Sequence, residues 1–267
     1  MKALSGWSKG YLVLLALSVV LAILLRLSKS DYRLGTSLFG SSTLLIGCIA
    51  VFSPIVRSVG RGRAVRIATL LLCIGFGFCL LLSSSLGYTR GFEFTGYWVP
   101  SMNVRGGSPL PLFAPFSWML IVVGCYSVAA RGVRGWLVPI VAGALATLLD
   151  LPLEPVKSHT LDYYRWKEPG PLLGIPWIYL AAWFVSAILG SLAMRRFGAT
   201  RETPSTEGAV VLFGYVLSMV LIGSTGLDKS ILLFAPILVL LFWDSVSRLE
   251  GSRRTPTVPA IPPPGAP

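Results

Sequence analysis

The chain has 267 residues, of which 54% are hydrophobic and 13% charged, with a mean hydropathy of +0.74. A soluble domain carries about a quarter charged residues, so the composition excludes an ordinary soluble fold and gives a polytopic membrane protein. The formal charge of +12 comes from short basic clusters between apolar runs, the mark of membrane topology rather than of nucleic-acid binding.

Lys2 and Lys9 precede an apolar run from Tyr11 to Leu25. Arg26-Leu27-Ser28-Lys29 follows in place of a small-residue cleavage site, so the run reads as a spanning helix and not as a signal peptide. Further runs, Leu38–Val56 and Ile67–Leu86, flank a basic linker with Arg57, Arg61, Arg63 and Arg66. Each is long enough to cross about 30 Å of hydrocarbon. From Gly87 to Leu112 the chain is rich in Gly, Pro and aromatics, which reads as a partly re-entrant loop, since irregular backbone at membrane depth must be buried in protein or line a cavity. Helices are expected over Leu112–Ala130, Trp136–Leu151, Leu172–Met194, Ala209–Gly223 and Ile231–Val246, the second of them ending before Pro152 and Pro155.

The fold class is therefore all-α, a polytopic transmembrane helix bundle of about eight spans. Residues 1–250 form the membrane domain and residues 251–267 a disordered Pro-rich tail. More of the 23 Lys and Arg fall on the side of the two termini, which places both termini in the cytoplasm and the bundle in the cell (inner) membrane.

Asp150 and Glu154 lie where two apolar runs meet. Carboxylates at membrane depth are functional candidates, and a spacing of four puts them on one helix face. Two acids in one apolar site cannot both ionise cheaply, so a proton is retained near neutral pH, as a general acid requires. The alternative is a pair that ends a helix at the water interface, neutralised by Lys157, Arg165 or Lys167. Glu93, between Phe92 and Phe94, is a third candidate, with Arg90 or Arg105 as its alternative partners. His159 is a possible proton relay. Trp98, Trp118, Tyr163, Tyr164, Trp166, Trp177, Tyr179 and Trp183 suit either an interfacial belt or the stabilisation of a cation by their faces.

Several classes are absent from the sequence. One histidine is too few for a His-rich di-iron site. Cys48, Cys73, Cys79 and Cys125 all lie in apolar runs and indicate neither disulfides nor zinc. No complete dinucleotide fingerprint, Walker A loop, G-x-S-x-G or Asp-rich diphosphate motif is present.

Glu93-x-x-Gly96, Pro115-x-x-Trp118-Met119, Asp150-x-x-x-Glu154-Pro155, Trp166, Gly174-Ile175-Pro176 and Trp183-Phe184 occur in an order that resembles the integral-membrane carotenoid biosynthesis family. That family includes the CruF-type carotenoid hydratases and the bisanhydrobacterioruberin hydratases. The resemblance is carried by residues 87–196. Glu154 stands where the family pattern has a second Asp, Tyr179 where it has Asn, and the Phe-Gly-x-Tyr expected after Gly96 is missing.

The resemblance implies a hydro-lyase that adds water, without a cofactor, to the terminal double bond of an acyclic carotenoid end group. Its partners would be a lipid-soluble carotenoid, membrane lipid and other carotenoid biosynthesis enzymes. For that reaction we read Asp150 as the acid, Glu154 or Glu93 as the base, and Trp118, Trp166, Trp183, Tyr163 and Trp177 as substrate-binding residues. An isoprenoid isomerase or cyclase would share the protonation step. A proton-coupled transporter or a non-catalytic scaffold would use the same carboxylates otherwise. As an enzyme site, Glu93, Asp150 and Glu154 should surround one cavity that opens sideways into the bilayer.

Overall fold

The computed structural model describes residues 4–28, 32–83, 91–95, 100–102, 109–199 and 206–224. The expected last span, Ile231–Val246, the tail, Arg90, Arg105, Gly96 and Trp98 lie outside the described residues.

Among the described residues, seven helices are long and apolar enough to cross a membrane. They are α1 (Gly6–Leu27), α2 (Tyr32–Val59), α3 (Arg61–Leu82), α4 (Ala114–Gly132), α5 (Leu137–Pro155), α6 (Trp177–Arg196) and α7 (Thr206–Ser224). The protein is an all-α integral membrane bundle. On α1, Val13, Leu17, Val20 and Leu24 are all more than half exposed. Their spacing makes them one apolar stripe, which water would penalise and lipid accepts.

Helix α4 forms the centre and packs against α2, α3, α5, α6 and α7. Every residue from Trp118 to Ser127 is buried, as a helix apolar on all sides requires. Glycines let its neighbours approach. A Cβ at Gly190 of α6 would lie 3.0 Å from the Trp118 ring, and one at Gly124 of α4 only 2.7 Å from Leu212 Cβ on α7. Between membrane helices such close contact supplies the attraction that apolar burial supplies in water.

Helix α5 corrects the expected boundary at Leu151. It runs through Pro152 to Pro155 and continues as a π-helical turn, Val156–Thr160. Within a bundle, local changes of helical register re-satisfy backbone groups freed by proline. Here Leu161 N–H bonds the Val156 carbonyl at 2.8 Å, and Tyr163 N–H bonds the Lys157 carbonyl at 2.8 Å. Helix α6 starts at Trp177 rather than Leu172 because Pro176 is its extended N-cap residue.

The Gly/Pro/aromatic segment contains short strands where a re-entrant loop was expected. β1 (Phe92–Phe94) pairs antiparallel with β4 (Tyr164–Trp166), in the register Phe92–Trp166, Glu93–Arg165 and Phe94–Tyr164. β2 (Ser101–Met102) pairs with β3 (Leu110–Pro111). Thr95 Oγ1 ties β1 to the turn before β4 by donating to the Asp162 carbonyl at 2.5 Å.

Gly124→Ala should force α4 from α7 and lower stability by about 1–3 kcal/mol. Gly77→Ala on α3, where a Cβ meets nothing within 4 Å, should leave it unchanged or raise it by up to about 1 kcal/mol. Thermal unfolding of the detergent-solubilised variants measures both.

Candidate active site

Asp150 and Glu154 are 0% and 1% exposed, so they do not sit at a water interface. Lys157 is buried with them. Residues 150, 154 and 157 follow the i, i+4, i+7 spacing of one helix face, carried to its end by the π-helical turn. The Lys157 ammonium donates to Asp150 Oδ1 and lies 3.5 Å from Glu154 Oε1. Asp150 Oδ2 is buried with no hydrogen-bond partner among the described residues.

Glu154 is held from its other side. Tyr164 donates its hydroxyl to Oε2 and Tyr179 donates to Oε1. Tyr164 comes from β4, whose alternation buries it and turns Arg165 outward. Tyr179 comes from the first turn of α6, one turn before Trp183, whose ring faces Lys157 Nζ at 5.5 Å. Burial, followed by the charges of Glu154 and Asp150, pushes the Tyr164 phenol well above its usual range, so it remains an O–H donor at neutral pH. The two positions that depart from the resembled pattern, Glu154 and Tyr179, are thus in contact, a longer acid meeting a phenol.

Beside this cluster lies a cavity of about 100 Å3. Lys157, Tyr163, Tyr164, Tyr179, Trp118 and Trp183 line it, and it reaches Val19 of α1, Thr43 of α2 and Met219 of α7. Asp150 and Glu154 do not line it themselves. They stand one layer back, behind the ammonium and the two phenols.

The other candidates divide. Trp118, Trp183 and Tyr163 are on the cavity wall. Trp166 stands behind it, 4.8 Å from the Tyr179 ring and 5.4 Å from Phe92. Trp177 is 63% exposed because two residues of helix rotate it to the face opposite the one that Tyr179 occupies. His159 is exposed on the π-helical turn, away from the position of a buried relay. Glu93 is also outside the site, since strand alternation buries Phe92 and Phe94 and turns Glu93 outward, where it pairs with Lys167 at 3.1 Å. The expectation of three acids around one cavity is therefore corrected: Asp150 and Glu154 stand behind a wall formed by Lys157, Tyr164 and Tyr179, and Glu93 lies apart.

In the sequence Lys157 stands out only as a neutralising partner, and Tyr164 and Tyr179 only as aromatics. The seven-residue spacing from Asp150 was the signal available for Lys157. Tyr164 depends on a strand pairing, and nothing local marks Tyr215, which also lines the cavity. Among the described residues no group of three or more His, Cys, Asp or Glu side chains is arranged to hold a metal ion.

These features define the class, a polytopic integral membrane protein with a buried acid–amine–phenol cluster beside an apolar cavity. The chain belongs to the family of carotenoid biosynthesis proteins, whose family model matches residues 39–243. That span takes in the whole cluster and extends well beyond residues 87–196, which carried the resemblance. No curated protein and no solved structure matches the chain.

Lys157→Met strands Asp150 without its partner and should lower stability by about 3–5 kcal/mol. Adding Asp150→Asn should restore most of it. Folded yield and unfolding temperature in detergent test the pair.

Proposed function

We propose that this family member is a cofactor-free hydratase that protonates the terminal double bond of an acyclic carotenoid end group and adds water to the resulting cation. The observation that carries the reading is the placement of Lys157, Tyr164 and Tyr179, with Asp150 and Glu154 behind them, on the wall of an apolar aromatic cavity.

Charge balance assigns the roles. An ionised Asp150, a protonated Lys157 and a Glu154 that holds its proton make a neutral cluster, the cheapest arrangement in surroundings of low dielectric. Glu154 is the proton source, and Tyr164 or Tyr179 passes the proton on, giving its own to the alkene carbon as it receives that of Glu154. The cluster then carries one net negative charge while the neighbouring tertiary carbon becomes positive, which stabilises the developing cation. The faces of Trp183 and Trp118 add cation–π attraction of about 0.5–2 kcal/mol each. Water adds to the cation, and its surplus proton returns through the phenol to Glu154. Asp150 acts through Lys157 by fixing the charge that leaves Glu154 protonated.

Coexpression with a lycopene-like carotenoid pathway should give a product heavier by one water, detected by mass spectrometry. A product of unchanged mass would identify an isomerase or cyclase, and unchanged substrate would remove the enzymatic reading. Glu154→Gln should reduce product per folded molecule about 100-fold or more. Asp150→Asn should do the same, because Glu154 must then ionise to neutralise Lys157. Asp150→Asn with Lys157→Met should recover activity, since Glu154 can hold its proton again. Loss of activity in the double variant at normal folded yield would refute this division of roles.

A further inference from the structure

Lys157 offers a second chemistry that protonation of an alkene does not use. It is the sole amine on the cavity wall among the described residues. It is a primary amine in an apolar, aromatic-walled space, hydrogen-bonded to a buried carboxylate and facing the ring of Trp183. Such an amine condenses with a carbonyl when three conditions are met. It must lose a proton to a neighbour, the water released must leave, and the product must be stabilised.

The geometry provides the first directly. Transfer of a proton from Lys157 to Asp150 turns a buried ion pair into a neutral amine and carboxylic acid, which a low-dielectric site tolerates. The third is also provided, because a protonated imine keeps the positive charge where the ammonium was. Its N–H faces the same Asp150 oxygen, and the cation keeps the Trp183 face. The second is met by the cavity itself, since Lys157 lies on its wall and the released water departs into that space.

We propose that the cavity takes up long conjugated aldehydes and binds them covalently as a protonated imine on Lys157, with Asp150 as counter-ion. In the reaction the carbonyl carbon gains a bond to Nζ. The carbonyl oxygen leaves as water with two of the ammonium hydrogens, and the third remains on the imine nitrogen. No oxidant or reductant takes part. The ligand class follows from the site: an aldehyde for the amine, and a long polyene for the apolar walls that run from α4 and α6 to α1, α2 and α7. This inference is independent of hydration, since a chain that adds no water to an alkene can still form the adduct.

The test uses the purified full chain in lipid nanodiscs with all-trans-retinal as the probe aldehyde. A red-shifted absorbance band of a protonated imine should develop. After reduction with borohydride, peptide mapping should place one adduct per chain on Lys157. Asp150→Asn, which removes the counter-ion, should move the band further to the red. Lys157→Arg, which keeps the charge and removes the nucleophile, should give neither band nor adduct. Absence of an adduct on the wild-type chain, or adducts confined to exposed lysines such as Lys9 and Lys167, would overturn the proposal whether or not the variants fold.

Discussion

The ion pair between Asp150 and Lys157 is the interaction on which the rest of the site depends. Both groups are buried in a bundle whose outer surface is apolar, so neither can be solvated by water and each must find its partner within the protein. An α-helix brings residues seven apart to one face, and the π-helical turn after Pro155 carries Lys157 back over that face. Two prolines would end a helix in water. Here they coincide with the change of winding that seats the lysine.

The second constraint is the pairing of β1 with β4. Two three-residue strands form a small ribbon, yet their alternation sorts the local chemistry. Phe92, Phe94 and Tyr164 turn toward the cavity, while Glu93 and Arg165 turn away. The Phe92 and Tyr164 rings lie 4.7 Å apart, and the Tyr164 hydroxyl continues to Glu154. An aromatic wall and a hydrogen-bond donor to the buried acid therefore come from one strand register, and a shift of one residue would exchange them for a carboxylate and a guanidinium.

Membership of the carotenoid biosynthesis family fits this construction in general terms. A long apolar polyene is suited to a cavity with aromatic walls, and Lys157, the sole Lys, Arg, Asp or Glu on that wall among the described residues, backs onto the buried carboxylates. Their arrangement in two layers, with phenols and ammonium at the surface and carboxylates behind, makes the protonation state of the acids a property of the cluster rather than of either residue.

The sequence by itself determined that the chain spans a membrane, where most of the spans lie, and that Asp150 and Glu154 share a helix face. Apolar run length and an i, i+4 spacing are local properties, readable without knowing what a segment packs against. It also carried the family resemblance. The tertiary structure decided the membership of the site. Glu93 left it because a strand alternates with period two, a fact that depends on Tyr164–Trp166 lying alongside. Trp177 and His159 left it because a rotation of one or two residues separates an exposed side chain from a buried one. Lys157, Tyr164 and Tyr179 entered it from a π-helical turn, a strand and the start of α6, three elements that meet only in the folded bundle. Burial sets the chemistry of ionisable groups, and burial is a property of the whole bundle that no local spacing encodes.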